Sequence, residues 1–250
     1  MLCVLDQDEH ISTIRSLNYD DPSFCWIFSN LDFQQWSSAK FPVLWLSGLP
    51  KCDLDQVSSY IVKQERAASS TTGNFVLYFF CSSATGRASV ISDFVYTLLK
   101  QMVDYSKMDR RILILRNFLH GLLEEAFKKE ADPSWDQRGF HQQDSSETTL
   151  LKILEAPANE LLTALGTVLG VEQRSISLIV DGLDKVELQR DDFIKGLHEL
   201  VVHLQRRLSK ARILLTNRPE DDIKEIFDGF PCIEHDRERR GLPISHFFSL

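Results

Sequence analysis

What these 250 residues lack narrows the field first. No apolar run approaches the roughly 20 residues that a membrane-spanning helix needs. The start, LCVLDQDEH after Met1, is too short and too soon acidic for a secretory signal. Five cysteines (Cys3, Cys25, Cys52, Cys81, Cys232) form no CxxC pair and no Cys/His cluster. They read as small buried thiols in a reducing compartment, and a cytoplasmic protein without membrane contact is expected. Basic residues are outnumbered 28 to 36, and the net charge of −8 argues against a sequence-independent nucleic-acid binder. GxSxG and HExxH are both absent. His198 and His203 stand five apart in a helical pattern, which should put them on different faces, and His10, His120, His141, His235 and His246 are isolated. Nothing supports a lone cysteine nucleophile.

What is present alternates. FPVLWLSG (41–48) and NFVLYFFCS (74–82) are nearly continuous apolar runs, the pattern of strands buried on both faces. SISLIVDGLD (175–184), ARILLTNRPE (211–220) and FPCIEHD (230–236) follow suit. Between them lie helical periods. Leu54, Val57, Tyr60 and Ile61 mark one over 53–68, and Val90, Phe94, Leu98 and Met102 another over 89–103. Further helices are expected over 108–129, 150–169, 191–208 and 221–227, with Pro157 starting or kinking one. Residues 1–40 read as a helical approach segment anchored by Phe24, Trp26, Ile27, Phe28, Phe33 and Trp36. The polar stretch 129–147 reads as an exposed loop or insertion, and 242–250 as a tail. This is the alternation of an α/β domain around a mainly parallel sheet of about five strands, spanning 41–241.

In such sheets ligands bind at the carboxyl ends of the strands. Three strands end here in groups that could serve a nucleotide: Gly48-Leu49-Pro50, Asp181-Gly182-Leu183-Asp184 and Thr216-Asn217-Arg218-Pro219. A strand-end carboxylate can hold Mg²⁺ through water, which makes Asp181 and Asp184 metal candidates. They could equally cap the next turn. Arg218 could read a phosphate as a planar cationic fork, or pair with nearby carboxylates.

The order of these pieces resembles the NACHT-type NTPase domains of the STAND class, most of all the nephrocystin-like branch of fungal NOD-like receptors. The resemblance rests on Cys25-Trp26-Ile27-Phe28, Phe33-Gln34-Gln35-Trp36, VLWLSGLP (43–50), Tyr78-Phe79-Phe80, Arg87-Ala88-Ser89, LIVDGLD, ILLTNRPE and FPCIEHDRERRGL. It covers nearly all of residues 20–241. It implies a P-loop NTPase-like three-layer fold, with the loop after the first apolar run (41–48) holding phosphates.

At the chemical centre the likeness fails. A working GxxxxGK[ST] loop cradles phosphates on backbone N–H groups, neutralises them with Lys and holds Mg²⁺ through Ser/Thr. Counting from Gly48, those last three places are Asp53, Leu54 and Asp55. Asp53 puts a Cβ where the chain calls for positive φ. Two carboxylates would face a polyanion, at roughly 1 kcal/mol per pair at 4 Å in water and nearer 4 at an effective dielectric of about 20. Lys51 sits three residues too early to replace the missing lysine, and Lys185 reverses the charge that family members carry after the acidic strand. If any base remains for water, it is Asp184.

Three readings stay open. One is a degenerate NACHT-like interaction or regulatory module with little or no hydrolysis. Another is an ATP/ADP switch with Mg²⁺, using the atypical loop from Gly48 through Pro50, Lys51, Asp53, Leu54 and Asp55 together with Asp181, Asp184 and Arg218. The third is a truncated, inactive paralogue. The first expects no cofactor. Its partners would be other proteins, full-length NACHT relatives included, with oligomerisation open and neither nucleic acid nor membrane involved.

Overall fold

The computed structural model describes residues 7, 24, 26–50, 52–82, 90–106, 158–171, 174–206 and 210–235. Lys51, Arg87 to Ser89, the helix expected over 108–129, the 129–147 segment, the 242–250 tail, Cys3, Cys25, His10, His120, His141 and His246 lie outside the described residues. The chain divides into two compact units, one from 5–83, 177–187 and 212–250, the other from 1–4, 84–176 and 188–211.

The first unit holds the sheet, apart from the opening residues of its third and fourth strands. In chain order come α1 (Trp26–Ser29), α2 (Leu31–Ser37), β1 (Val43–Gly48), α3 (Leu54–Thr72) and β2 (Phe75–Phe80). Then follow β3 (Ile176–Asp181), a 3-10 turn (Leu183–Lys185), β4 (Ala211–Asn217), α7 (Asp221–Ile226) and β5 (Cys232–His235). The apolar runs became strands because both faces are covered: every residue of β1, β2 and β3 is buried. The strands form one sheet in the order β2-β3-β4-β1-β5, with β1 parallel to both β4 and β5. Trp45 lies opposite Leu215, and Gly48 opposite His235.

That order places the site. The chain leaves β1 for the far edge at β2, and leaves β4 in the other direction for β5. Where neighbouring strands depart oppositely, their connections cannot close over the gap, and a crevice remains at their carboxyl ends. The fourth strand in sequence, inserted between β1 and β3, brings Gly48, Asp181 and Asn217 to adjacent strand ends.

One face of the sheet is sealed by the approach segment and α3. Leu44, Leu46, Tyr78, Phe80, Ile179 and Leu214 share a buried cluster with Phe24, Ile27, Phe33, Trp36, Val57 and Ile61. α2 starts cleanly because the Asn30 side chain accepts the N–H groups of Asp32 (2.9 Å) and Phe33 (3.2 Å). The aromatic anchors in the sequence are therefore packing residues. Trp36 also satisfies its indole by donating to the Ile213 carbonyl at 3.0 Å.

The second unit holds α4 (Val90–Ser106), α5 (Ala158–Val171) and α6 (Arg190–Arg206). Val90, Phe94, Leu98 and Met102 form the buried stripe of α4 that their spacing anticipates. α5 and α6 pack closely: a Cβ on Gly196 would stand 2.4 Å from Leu162 Cδ1. An open groove of about 750 Å³ beside them is lined by both His198 and His203. They still leave α6 on different faces, as their spacing predicts. Two rings about 140° apart around a helix can both reach a groove this wide. Among the described residues no cluster of His, Cys, Asp or Glu could hold a metal ion. Nor is any described helix long and apolar enough to cross a membrane.

Candidate functional site

A cleft of about 300 Å³ opens at the carboxyl ends of β1, β3 and β4. It is lined by Gly48, Asp53, Leu54, Asp55, Asp181, Asp184, Lys185 and Arg218, together with Thr216 and Asn217. Nearly all the residues singled out in the sequence therefore meet in one place. Pro50 is exposed and does not line the cleft.

The loop after β1 reaches α3 through a left-handed residue. Asp53 stands at φ +53°, ψ +40° as the N-cap of α3, with no side-chain capping bond. Left-handed backbone costs an L-residue roughly 1–2 kcal/mol, less for Asp than for most. Leu54, at the lysine place, turns inward. Its side chain lies 3.0 Å from where a Cβ on Gly48 would be, and it packs on the core cluster. Gly48 thus makes room for the Leu54 side chain. Two loop N–H groups are engaged within the protein: Leu49 donates to the His235 carbonyl (3.4 Å) and Cys52 to the Leu49 carbonyl (3.1 Å). The Cys52 thiol also donates to the His235 carbonyl at 3.4 Å. Behind that contact the His235 ring stacks on Trp26, with centroids 4.3 Å apart.

Asp181 is almost wholly buried at 1 % exposure. Its Oδ1 accepts the Thr216 hydroxyl at 2.6 Å and the Ser58 hydroxyl at 2.7 Å. Its Oδ2 faces the Lys185 ammonium at 3.4 Å. Burial opposes the charge on Lys185. Even so, the carboxylates of Asp181, Asp55 and Asp184 hold its pKa above the ordinary lysine range. Asp184 is not free either: its Oδ1 accepts the backbone N–H of Arg218 at 3.0 Å, and its Oδ2 lies 3.6 Å from Arg218 Nε. Beside them Cys81, whose N–H donates to the Asp181 carbonyl at 2.8 Å, keeps its proton. Burial first, then the Asp181 charge, pushes that thiol well above the usual cysteine range. It is a packing group, as the scattered cysteines suggested.

Ser58 was invisible as a site residue in the sequence. The signal was its place one turn after Leu54 on the face that α3 turns to the sheet, which no motif marks. The pairing of Asn217 with the Trp45 indole was equally hidden.

A profile of the nephrocystin 3 N-terminal family matches residues 23–218. The chain belongs to this family. The matched span runs from the approach segment to Arg218, so it includes every lining residue of the cleft in this nephrocystin 3 N-terminal domain. A search of curated proteins returned no match. Among solved structures, the chain is similar to a Drosophila ORC bound to AT-rich DNA and Cdc6, at 12% identity and a TM-score of 0.42, over 92% of this chain and 58% of that one. It is also similar to Aeropyrum pernix ORC2 in ADPNP-ADP complexes, at 14% identity and a TM-score of 0.41, over 94% of this chain and 49% of that one. The domain thus spans about half the length of each.

Proposed function

We propose that this domain is a degenerate NACHT-like module of the STAND class that acts through other proteins in the cytoplasm and hydrolyses little or no ATP. One observation carries the reading: Leu54, in the place of the phosphate-binding lysine, is packed on Gly48 and the core. Leu54 is partly buried against that cluster and presents an apolar wall to the cleft where a phosphate loop presents an ammonium. A nucleotide phosphate would meet Asp53, Asp55, Asp181 and Asp184 against only Lys185 and Arg218 among the described lining residues. Both of those cations already face carboxylates, Asp181 and Asp184 respectively.

Magnesium fits no better. The cleft oxygen of Asp181 that could orient a metal-bound water faces the Lys185 ammonium instead. Asp184, the one base left for water, is tied to the Arg218 backbone. The residues present do not suit a Mg-nucleotide. Full-length NACHT relatives are the partners this reading favours, with no role for nucleic acid or membrane. Retention on such a relative in a pull-down is the expected result.

Calorimetric titration of the whole chain with Mg-ATP and Mg-ADP tests the reading. It is run beside the triple change Asp53→Gly, Leu54→Lys, Asp55→Ser. No heat from the natural protein, with binding gained by the triple variant, is expected. Micromolar binding by the natural protein overturns the proposal in favour of an ATP/ADP switch.

A further inference from the structure

The cleft carries a cation of its own beside Asp181, the ammonium of Lys185. Its side chain folds back across the backbone of the strand-end turn while staying 36 % exposed. A Cβ on Gly182 would stand 2.8 Å from Lys185 Cδ, 3.0 Å from Cε and 3.1 Å from Nζ. Gly182 is also left-handed, at φ +75°. Any other residue there would be strained and would press on the lysine stem. The glycine therefore lets the ammonium lie over the turn, 3.4 Å from Asp181 Oδ2.

The rest of the Asp181 carboxylate is closed. Both hydroxyls on Oδ1 come from fixed positions, Ser58 on α3 and Thr216 on β4, and Thr216 Oγ1 in turn accepts the Gly182 N–H at 3.2 Å. A buried carboxylate with one satisfied oxygen still needs a positive partner for the other. A monovalent ammonium on the same chain fills that need with no binding equilibrium, whereas a hydrated Mg²⁺ must be bound from solution.

We propose that Lys185 is a built-in counter-ion, occupying the place beside Asp181 that a divalent cation would take, and that it makes the cleft independent of metal. The inference deepens the proposed loss of NTPase chemistry and rests on that reading. Its prediction, however, is about metal alone. Without the ammonium, Asp181 Oδ2 loses its charge partner in a cleft that Asp55 and Asp184 also line.

The test uses the full chain without nucleotide, so that it can fail separately from the calorimetric one. Manganese binding to wild type, Lys185→Met and the double variant Lys185→Met/Asp181→Asn is measured from the electron paramagnetic resonance of free Mn²⁺. Wild type is expected to bind no Mn²⁺ in the cleft, Lys185→Met to bind at least about tenfold more tightly, and the double variant to lose that gain. Thermal unfolding is followed in parallel. Lys185→Met should be less stable than wild type and should recover with about 10 mM Mg²⁺, while wild type should not respond. A merely structural lysine would lower stability without creating any response to metal. Equal Mn²⁺ affinity in wild type and Lys185→Met overturns the proposal, as does a folded Lys185→Met that binds none.

Should Lys185→Met not fold, Lys185→Gln takes its place. The native protein gives an independent reading through acetylation of its lysines, followed by mass spectrometry. Lys185 should react several-fold more slowly than the exposed Lys195. Equal rates would mean that its amine is not held over Asp181.

Discussion

The two ends of the sheet each hold a knot of charge, and the knots differ in kind. At the amino ends Arg212, opening β4, is ion-paired with Glu65 of α3, and its Nε donates to the Ser177 hydroxyl of β3 at 2.9 Å. It also donates to the Ser37 carbonyl, and its guanidinium lies 5.0 Å from the Trp36 ring centroid. Ser177 donates on to Glu65 at 2.9 Å. One guanidinium thus joins α2, α3, β3 and β4, and its charge is matched by one carboxylate. At the carboxyl ends four aspartates face two cations among the described lining residues. The N-terminus of α3 offsets part of that excess for Asp55 in its first turn. A balanced, multiply bonded cluster ties elements together. An unbalanced one leaves carboxylates in excess around an open cleft.

Breaking the amino-end knot should therefore have the largest effect on stability. Arg212→Met leaves Glu65 half-buried without its partner, and urea unfolding should show a loss of about 3 kcal/mol. Nucleotide and metal titrations should be unchanged by it. At the other end, Thr216→Val removes one of two hydroxyls on the buried Asp181 and a partner of Gly182. A loss of about 2 kcal/mol is expected in the same assay, less than for Arg212→Met. If Thr216→Val were the costlier change, the carboxyl end would be the true structural anchor.

A smaller contrast lies in alkaline titration. The raised pKa of Cys81 means that the folded protein keeps a proton the unfolded chain releases from about pH 8.5. That contribution is whole below this value and is lost as the pH rises. Lys185, also raised, adds a loss that begins near its unfolded value of about 10.4. Cys232, pushed up to about 11 by burial and by Glu234, acts in the same direction. Cys81→Ala should therefore flatten the decline in unfolding midpoint between about pH 8.5 and 10, and no change of slope would contradict the assignment.

The smallest effect is expected at Asp53. Glycine there relieves the left-handed strain and adds backbone freedom to the unfolded chain, so a net gain of about 0.5 kcal/mol should remain. A clear loss instead would mean that the Asp53 side chain contributes to the loop.

Much of the architecture is readable from local pattern. The apolar runs at 41–48, 74–82 and 175–184 became β1, β2 and β3 because continuous burial leaves a continuous apolar trace. The expected strand over 175–184 overran at one end. The backbone turns left-handed at Gly182 and tightens into a 3-10 turn, from which Asp184 accepts the Arg218 N–H. The cleft residues were legible as types at strand ends. Their partners were not, since Ser58 and Asp181 stand 123 positions apart and Thr216 and Asp181 stand 35 apart.

By itself the sequence determined the alternation of strands and helices, and that Asp53, Leu54 and Asp55 stand where a GxxxxGK[ST] loop has Gly, Lys and Ser/Thr. Both are properties of neighbouring residues, fixed by period and chemistry. Tertiary structure alone decided that β4 lies between β1 and β3, that Leu54 packs against the core cluster, and that Lys185 lies back over Gly182 toward Asp181. Those outcomes depend on which distant surfaces close on one another, and no local pattern records that.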